Sequence, residues 1–314
     1  MINNDRLFDV EFHNECRLKI IGVGKGGINA VAGMLFQIKE VELWAIDTDL
    51  EVIKRSPIPN SILLVEDRTK WSAKIAPVLR YADLVFIVAG MGGEHSIDLV
   101  MEIARMAKEL DALTIGVVTR PFSFEGIERA NRAKLGIERL VSQVDTLITV
   151  SNDRLLPEEK NDLSHIDAFK LADRILKRTV RAIPDGLSSG LSSLDFADVR
   201  TIFADAGLAS VGRGEGEGEF RAQAAAMMAR SAPTLEGAIE ESMRIYLLIG
   251  GGSDLTSKDI NDAAEIFYEV IDPNAYCHHL AQMDRNRNGK ISVLTIVIAG
   301  DRMSKSLVGK YKKW

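Results

Sequence analysis

The chain is predicted to be an α/β protein: a Rossmann-like parallel sheet covered by helices, then a long central helix, then a smaller α+β unit. Three observations predict this. Apolar runs without polar alternation (RLKIIGV, VELWAI, ADLVFIVA, ALTIGVV, DTLITV) alternate with helical patterns, as strands buried on both faces of a parallel sheet require. That alternation stops at a long helical stretch followed by the Gly/Ser-rich run DGLSSGLSS. The length of 314 residues exceeds what one compact core ordinarily fills.

In order along the chain, Arg17 to Val23 reads as a buried strand and Gly24 to Gln37 as a turn entering a helix. Val41 to Ile46, Ala82 to Ala89, Ala112 to Val118 and Asp145 to Val150 read as further strands, with helical patterns at Ser96 to Leu110 and Glu125 to Val141. Asp167 to about Ile183 is helical and is expected to stop at Pro184. Beyond it, Leu194 to Ala204 reads as a short helix, Arg213 to Phe220 (RGEGEGEF) as a loop, and Phe220 to Ser231 as a helix. Ser242 to Ile249 reads as a strand, Thr256 to Val270 as a helix, and Ile291 to Ala299 as a last strand. The expected organisation is therefore 1–166, a first domain with an N-terminal extension; 167–186, helix and linker; and 187–314, a second domain.

Composition narrows the class. A net charge of −6 argues against a general nucleic-acid binder, which would be basic. Two distant cysteines, Cys16 and Cys277, suit a reducing cytoplasm and support neither a disulfide framework nor a zinc site. The acidic N-terminus does not read as a signal peptide, and no apolar run is long enough to span a bilayer.

Gly22-Val23-Gly24-Lys25-Gly26-Gly27 joins a strand to a helix, where glycines let backbone approach phosphate and the helix start offers free N–H groups to an anion. Asp47 ends the second strand, where an acid often binds a ribose hydroxyl. By pattern alone, Gly22, Gly24, Gly27 and Asp47 allow an NAD(P)-binding enzyme. A second glycine cluster, Gly90-Met91-Gly92-Gly93, also precedes a helix. Two such loops converging on one sheet edge suit a triphosphate better than a dinucleotide, which needs only the first.

The runs IIGVGKGGINAV, ADLVFIVAGMGG, ALTIGVVTRPFSFEG, SNDRLL, DAFKLAD, LDFADVR and GGGSDLT resemble the FtsZ/tubulin superfamily over about residues 17–300. The resemblance implies a GTP-binding domain, a central helix and an assembly domain. It places Gly22, Gly24, Gly26, Gly27 and Asn29 in the first phosphate loop, with Lys25 adding charge, and Gly90, Gly92 and Gly93 in the second. It puts Glu125 and Arg129 at the ribose and phosphates, Asn152 at the nucleoside, Phe169 on the guanine ring and Asp173 on its hydrogen-bonding edge. An aromatic face and a carboxylate facing paired N–H donors fit guanine chemically. Asp195 and Asp198 would reach the nucleotide of the next subunit and orient the attacking water, so hydrolysis would require head-to-tail assembly. Asp195 as a plain helix cap is compatible with that role. GTP or GDP, with Mg²⁺ accompanying GTP, are the implied cofactors.

Three departures from the family pattern stand out. The family's glycine- and threonine-rich signature is replaced after Gly93 by Glu94-His95-Ser96-Ile97-Asp98. At an effective dielectric near 20, like charges about 4 Å apart repel by roughly 4 kcal/mol, so acids here should weaken phosphate binding. No glycine occurs between Met34 and Ala89, so the γ-phosphate loop looks deleted. Ser193 replaces an asparagine at the start of the catalytic loop. The expectation is an FtsZ-like cytoskeletal subunit, serving cell division by family default, with a degenerate GTP site. It would form filaments with itself or with a paralogue; an active GTPase with altered loops is the alternative. The usual C-terminal adaptor-binding peptide is not evident, and the basic tip Lys310 to Trp314 reads as a solvated tail. The Asp284 to Thr295 stretch imitates a calcium loop but lacks its last glutamate, and Asn288-Gly289 reads as a hairpin turn. His278 and His279 have no metal-partner spacing and read as surface or packing residues.

Overall fold

Leu18–Val23 (β1) is buried at every position, as its unbroken apolar run requires, and it sits at the middle of the parallel half of the sheet. The computed structural model describes residues 16–35, 41–65, 67–156, 164–188, 194–235, 239, 242–284 and 287–299, except the side chains of Glu94, Ser188 and Ala299. Val41–Asp47 (β2), Asn60–Leu63 (β3), Leu84–Gly90 (β4), Leu113–Arg120 (β5) and Thr146–Ser151 (β6) join β1 in the order β3-β2-β1-β4-β5-β6, all parallel. This is the doubly wound arrangement, whose ligand crevice lies at the carboxyl ends of the strands where the order reverses, here between β1 and β4.

The sheet does not stop at β6. Gly207–Glu217 (β7) pairs with β6 in parallel from Thr146–Gly207 to Ile148–Ala209, then runs antiparallel against Lys290–Ala299 (β10). Ser242–Gly251 (β8) and Tyr276–Met283 (β9) complete one ten-stranded sheet in the order β7-β10-β8-β9. Gly24–Ala32 (α1), His165–Ser188 (α6) and Phe196–Phe203 (α7) pack their apolar residues on one face. The other face is covered by Trp71–Leu79 (α3), Glu94–Glu109 (α4), Ile127–Leu140 (α5), Arg221–Arg230 (α8) and Ser257–Tyr268 (α9). Leu50–Arg55 (α2) links β2 to β3.

Three expectations from the sequence require correction, and one strand was not anticipated. RGEGEGEF is mostly strand. Gly212, Gly214 and Gly216 face α8 at every second position, and a Cβ at each would lie 2.0–2.2 Å from a carbonyl of that helix. Loop composition is here the mark of a helix lying directly on a strand. Secondly, α6 passes through Pro184 to Ser188. Proline removes one helical hydrogen bond; the adjoining turns are held by the Tyr246 hydroxyl donating to Ala182 O (2.8 Å) and by Arg181 donating to Asp185 (2.9 Å). Thirdly, the Asn288-Gly289 turn does not make a hairpin. It joins β9 to β10, which are separated by β8, and Asn288 Oδ1 accepts the Ser253 amide at 2.9 Å on the way across. Finally, β9 escaped notice because its YCHHLAQM run buries only Leu280 fully. Residues 1–15, 189–193, including Ser193, and 300–314, including the basic tip, lie outside the described residues. Among the described residues no helix is long and apolar enough to cross a membrane.

Candidate functional site

The β1–α1 turn is shaped by contacts that only glycine allows. Gly24 has φ +69°, a left-handed conformation that side chains resist. A Cβ on Gly27 would stand 2.0 Å from Val88 O, so α1 rests on β4 without a gap. Gly22 is buried beneath the Gly27 carbonyl, whereas Lys25, Gly26 and Asn29 are exposed. The nearest foreign atom to a Cβ on Gly26 would be Gly90 N, 3.9 Å away, so the first glycine turn faces the second across the β1–β4 crevice. α1 begins at Gly24 and α4 at Glu94, and neither N-terminus is capped by a side chain. Their first-turn N–H groups and the positive ends of their dipoles suit an anion.

Neighbouring loops close around this edge. The Met91 amide donates to Thr119 O (3.0 Å), the Asn152 amide to Arg120 O (3.2 Å), and the Ser123 amide to Asp153 (2.9 Å). Arg129 lies against Gly92, 3.7 Å from where its Cβ would be, and donates to Glu125 Oε2 at 2.8 Å. Glu125 Oε1 accepts the Phe122 amide at 2.8 Å, which fixes the carboxylate. Gly93 is exposed, and its carbonyl accepts from the Ser96 hydroxyl at 3.0 Å.

The far end of the crevice is lined by α6. Phe169 is 42% exposed and meets Phe122 edge-on with ring centroids 5.3 Å apart, while Phe124 stacks between Phe122 and His165. One turn on, Asp173 carries a half-buried carboxylate to which no group donates among the described residues; burial pushes its pKa up to about 6. Asn152 is buried, and its Oδ1 has no partner among the described residues. The Asp173 carboxylate and the Asn152 amide oxygen are thus acceptors with no donor among the described residues, and Phe169, one turn before Asp173 on α6, leaves part of its ring exposed.

Some predicted residues fall elsewhere or have other duties. Asp47 is buried, and its carboxylate accepts the amides of Thr48 (2.6 Å) and Asp49 (3.0 Å). Burial raises its pKa, opposed by those amides. A carboxylate spent on its own turn has less to offer a ribose. Asp98 does not point repulsive charge at the crevice; it pairs with Arg68 at 2.5 Å. Arg68 belongs to the glycine-free segment between Met34 and Ala89. Glu94 opens α4, and its side chain lies outside the described residues.

Asp195 and Asp198 are at the other end of the molecule. Asp195 accepts the Asp198 amide (2.8 Å) and Asp198 accepts the Asp195 amide (3.3 Å), a reciprocal cap on α7. The end of α7 is tied to the starts of β5 and β6: Arg200 donates to Asp111 O, and Thr146 to Phe203 O. The glycine turns lie at the opposite ends of the parallel strands, so one chain cannot bring the two sets together. His279 hydrogen-bonds with Tyr268 (3.3 Å), and His278 is half-buried, with its pKa lowered chiefly by burial.

Sequence reasoning missed the aromatic frame of Phe122, Phe124 and His165 around Phe169. The alternating Phe122 and Phe124 in PFSFEG were the available signal; that both rings would meet α6 was not.

Comparison with known proteins agrees with this architecture. Residues 69–158 match the family model described as the Tubulin/FtsZ family GTPase domain, and residues 207–301 that of the FtsZ family C-terminal domain. The structure is similar to an empty FtsZ dimer from M. jannaschii, with a TM-score of 0.86 and 29% identity over 91% of this chain and 89% of that one. It shares its fold with CetZ2 from Haloferax volcanii, a GTPγS-bound protofilament (TM-score 0.76, 16% identity, 95% and 98% covered). The same holds for CetZ1 from that organism, a GDP-bound monomer (0.75, 17%, 94% and 98%).

Proposed function

The chain belongs to the tubulin/FtsZ superfamily, and from this we propose that it is a cytoskeletal subunit that joins head-to-tail filaments and binds guanine nucleotide mainly by the nucleoside end. The observation that carries the reading is the Asp173 carboxylate, half-buried and unanswered one helical turn from the exposed Phe169 ring. Guanine supplies what this end of the crevice lacks: two adjacent N–H donors for the carboxylate and a flat face for the ring. The Asn152 Oδ1 would accept from the nucleoside, and the α- and β-phosphates would meet the open starts of α1 and α4, with Arg129 beside Gly92.

The terminal phosphate is expected to be held weakly. Glu94 puts an acid in the first turn of α4, and the segment across the crevice mouth carries Arg68 already neutralised by Asp98. Mg²⁺ accompanying GTP would be held chiefly by the phosphates and water. Hydrolysis would fall to Asp195 and Asp198 of a second copy, or of a paralogue, polarising water at this chain's nucleotide.

Isothermal titration with GDP, GTP and NAD, followed by light scattering, tests the reading. GDP and GTP should bind within about tenfold of one another, a difference under about 1.4 kcal/mol. NAD should give no heat, and polymer should form with little dependence on the γ-phosphate. A hundredfold preference for GTP, with strictly GTP-dependent polymer, would establish a fully active GTPase instead. Tight NAD binding would overturn both.

A further inference from the structure

The cleft between α6 and the second half of the sheet is built from cations that the nucleotide pocket does not use. It encloses about 510 Å³ and is lined by Arg178 and Arg181 of α6, Arg213 of β7 and Arg287 before β10, with Gln282 and Ser292 beside them. That volume is in the range of small-molecule sites. Three of the four arginines are answered. Arg181 donates to Asp185 at 2.9 Å, Arg287 to Asp284 at 3.2 Å and to Glu215 at 3.3 Å, and Arg213 pairs with Glu215.

Arg178 has no such partner. Among the described residues no oxygen accepts from its guanidinium, although it is half-buried and lines both this cleft and the smaller one of about 150 Å³ next to it. Desolvation, and then Arg213, press its pKa down against the pull of Glu215; Arg287 and Arg174 add to the pressure. Arginine does not respond by losing its proton in a protein. A charge half out of water among like charges is costly until an anion meets it. With Glu215 paired to Arg213 and Arg287, the four lining arginines stand against three carboxylates, Asp185, Asp284 and Glu215, and the one positive charge left over is that of Arg178.

We propose that this cleft binds a compact multivalent oxyanion of the phosphate-ester or pyrophosphate class, with Arg178 as its principal donor. The planar fork of arginine matches phosphate oxygens two at a time, and Gln282 and Ser292 supply neutral donors on the facing wall. Arg178 and Asp173 lie on the same helix, so the cleft and the purine slot share α6 while facing different surroundings.

Calorimetric titration of the full chain with inorganic pyrophosphate, and separately with malonate, tests this. The glycine turns could also take pyrophosphate, so Gly26→Asp, which sets an acid in the first turn, is titrated in parallel. Wild type should bind pyrophosphate more tightly than malonate. Arg178→Met should weaken pyrophosphate at least tenfold, and Gly26→Asp should leave it within threefold. The melting temperature of Arg178→Met should equal or exceed that of wild type, since an unanswered charge has been removed; Arg287→Met should weaken binding in the same direction. No binding to wild type, unchanged binding in Arg178→Met, loss confined to Gly26→Asp, malonate binding as tightly as pyrophosphate, or a destabilised Arg178→Met would each overturn the proposal.

Discussion

Asp173 illustrates how one residue can be unfavourable for the empty protein and useful to the occupied one. Its carboxyl titrates near 3.8 when unfolded and near 6 when folded, because burial alone acts on it. A raised acid contributes its stability below the unfolded pKa and loses it as pH rises through the folded value, here between about 4 and 6. At pH 7 the empty protein therefore bears a penalty of about 1–3 kcal/mol from this group. Asp173→Asn should raise the melting temperature of nucleotide-free protein at pH 7 by a few degrees, about 2–4 °C per kcal/mol, and the gain should vanish near pH 4. The same substitution should weaken GDP about 10- to 150-fold, the equivalent of about 1.5–3 kcal/mol for a charged hydrogen bond. A variant that melts below wild type at pH 7 would show that Asp173 is a structural group. The identity of this residue was legible in the sequence through the DAFKLAD run. Its isolation was not, because that depends on what the loops after β5 and β6 bring near α6.

Among the elements, β7 and α8 show what composition conceals. Gly212, Gly214 and Gly216 recur with the period of a strand, and RAQAAAMMAR turns alanines toward them, so helix backbone lies on sheet backbone. Both halves of this fit were present in the sequence, but glycine and glutamate together read as loop because neither favours strands alone. Gly214→Ala would place a Cβ 2.1 Å from Ala225 O and 2.7 Å from Ala229 N, and neither atom can swing away. We expect a loss of about 1–3 kcal/mol in chemical denaturation, the usual range for forced overpacking. A loss under about 0.5 kcal/mol would mean that α8 is free to lift. The parallel strands β1, β4, β5 and β6 were legible for the opposite reason: burial on both faces leaves an uninterrupted apolar run. Pro184 misled because a rule about helix interiors says nothing of a Tyr246 hydroxyl arriving from another strand.

At the scale of the molecule, the glycine turns and the Asp195–Asp198 pair are carried at opposite ends of the parallel strands. If the aspartates act, they act on a neighbour. Asp195→Asn should keep the helix cap, since asparagine caps as well as aspartate, and so cost less than about 0.5 kcal/mol. Turnover by the assembled variant should nevertheless fall well below wild type. Adding a copy with a ruined purine slot, Asp173→Asn, should restore hydrolysis, because each partner supplies what the other lacks. Failure of the mixture to exceed the sum of its parts would place the chemistry within one chain. The family motifs made both ends recognisable from sequence; that they face away from each other required the strand order.

The ladder joining β6 to β7 is three rungs long, from Thr146–Gly207 to Ile148–Ala209, whereas β7 and β10 share nine. So brief a weld gives the two halves of the sheet a crease. Swivelling about it would break few hydrogen bonds, and α6, which touches both halves, would set the angle. If the two halves move relative to one another, this crease is where the sheet would yield first.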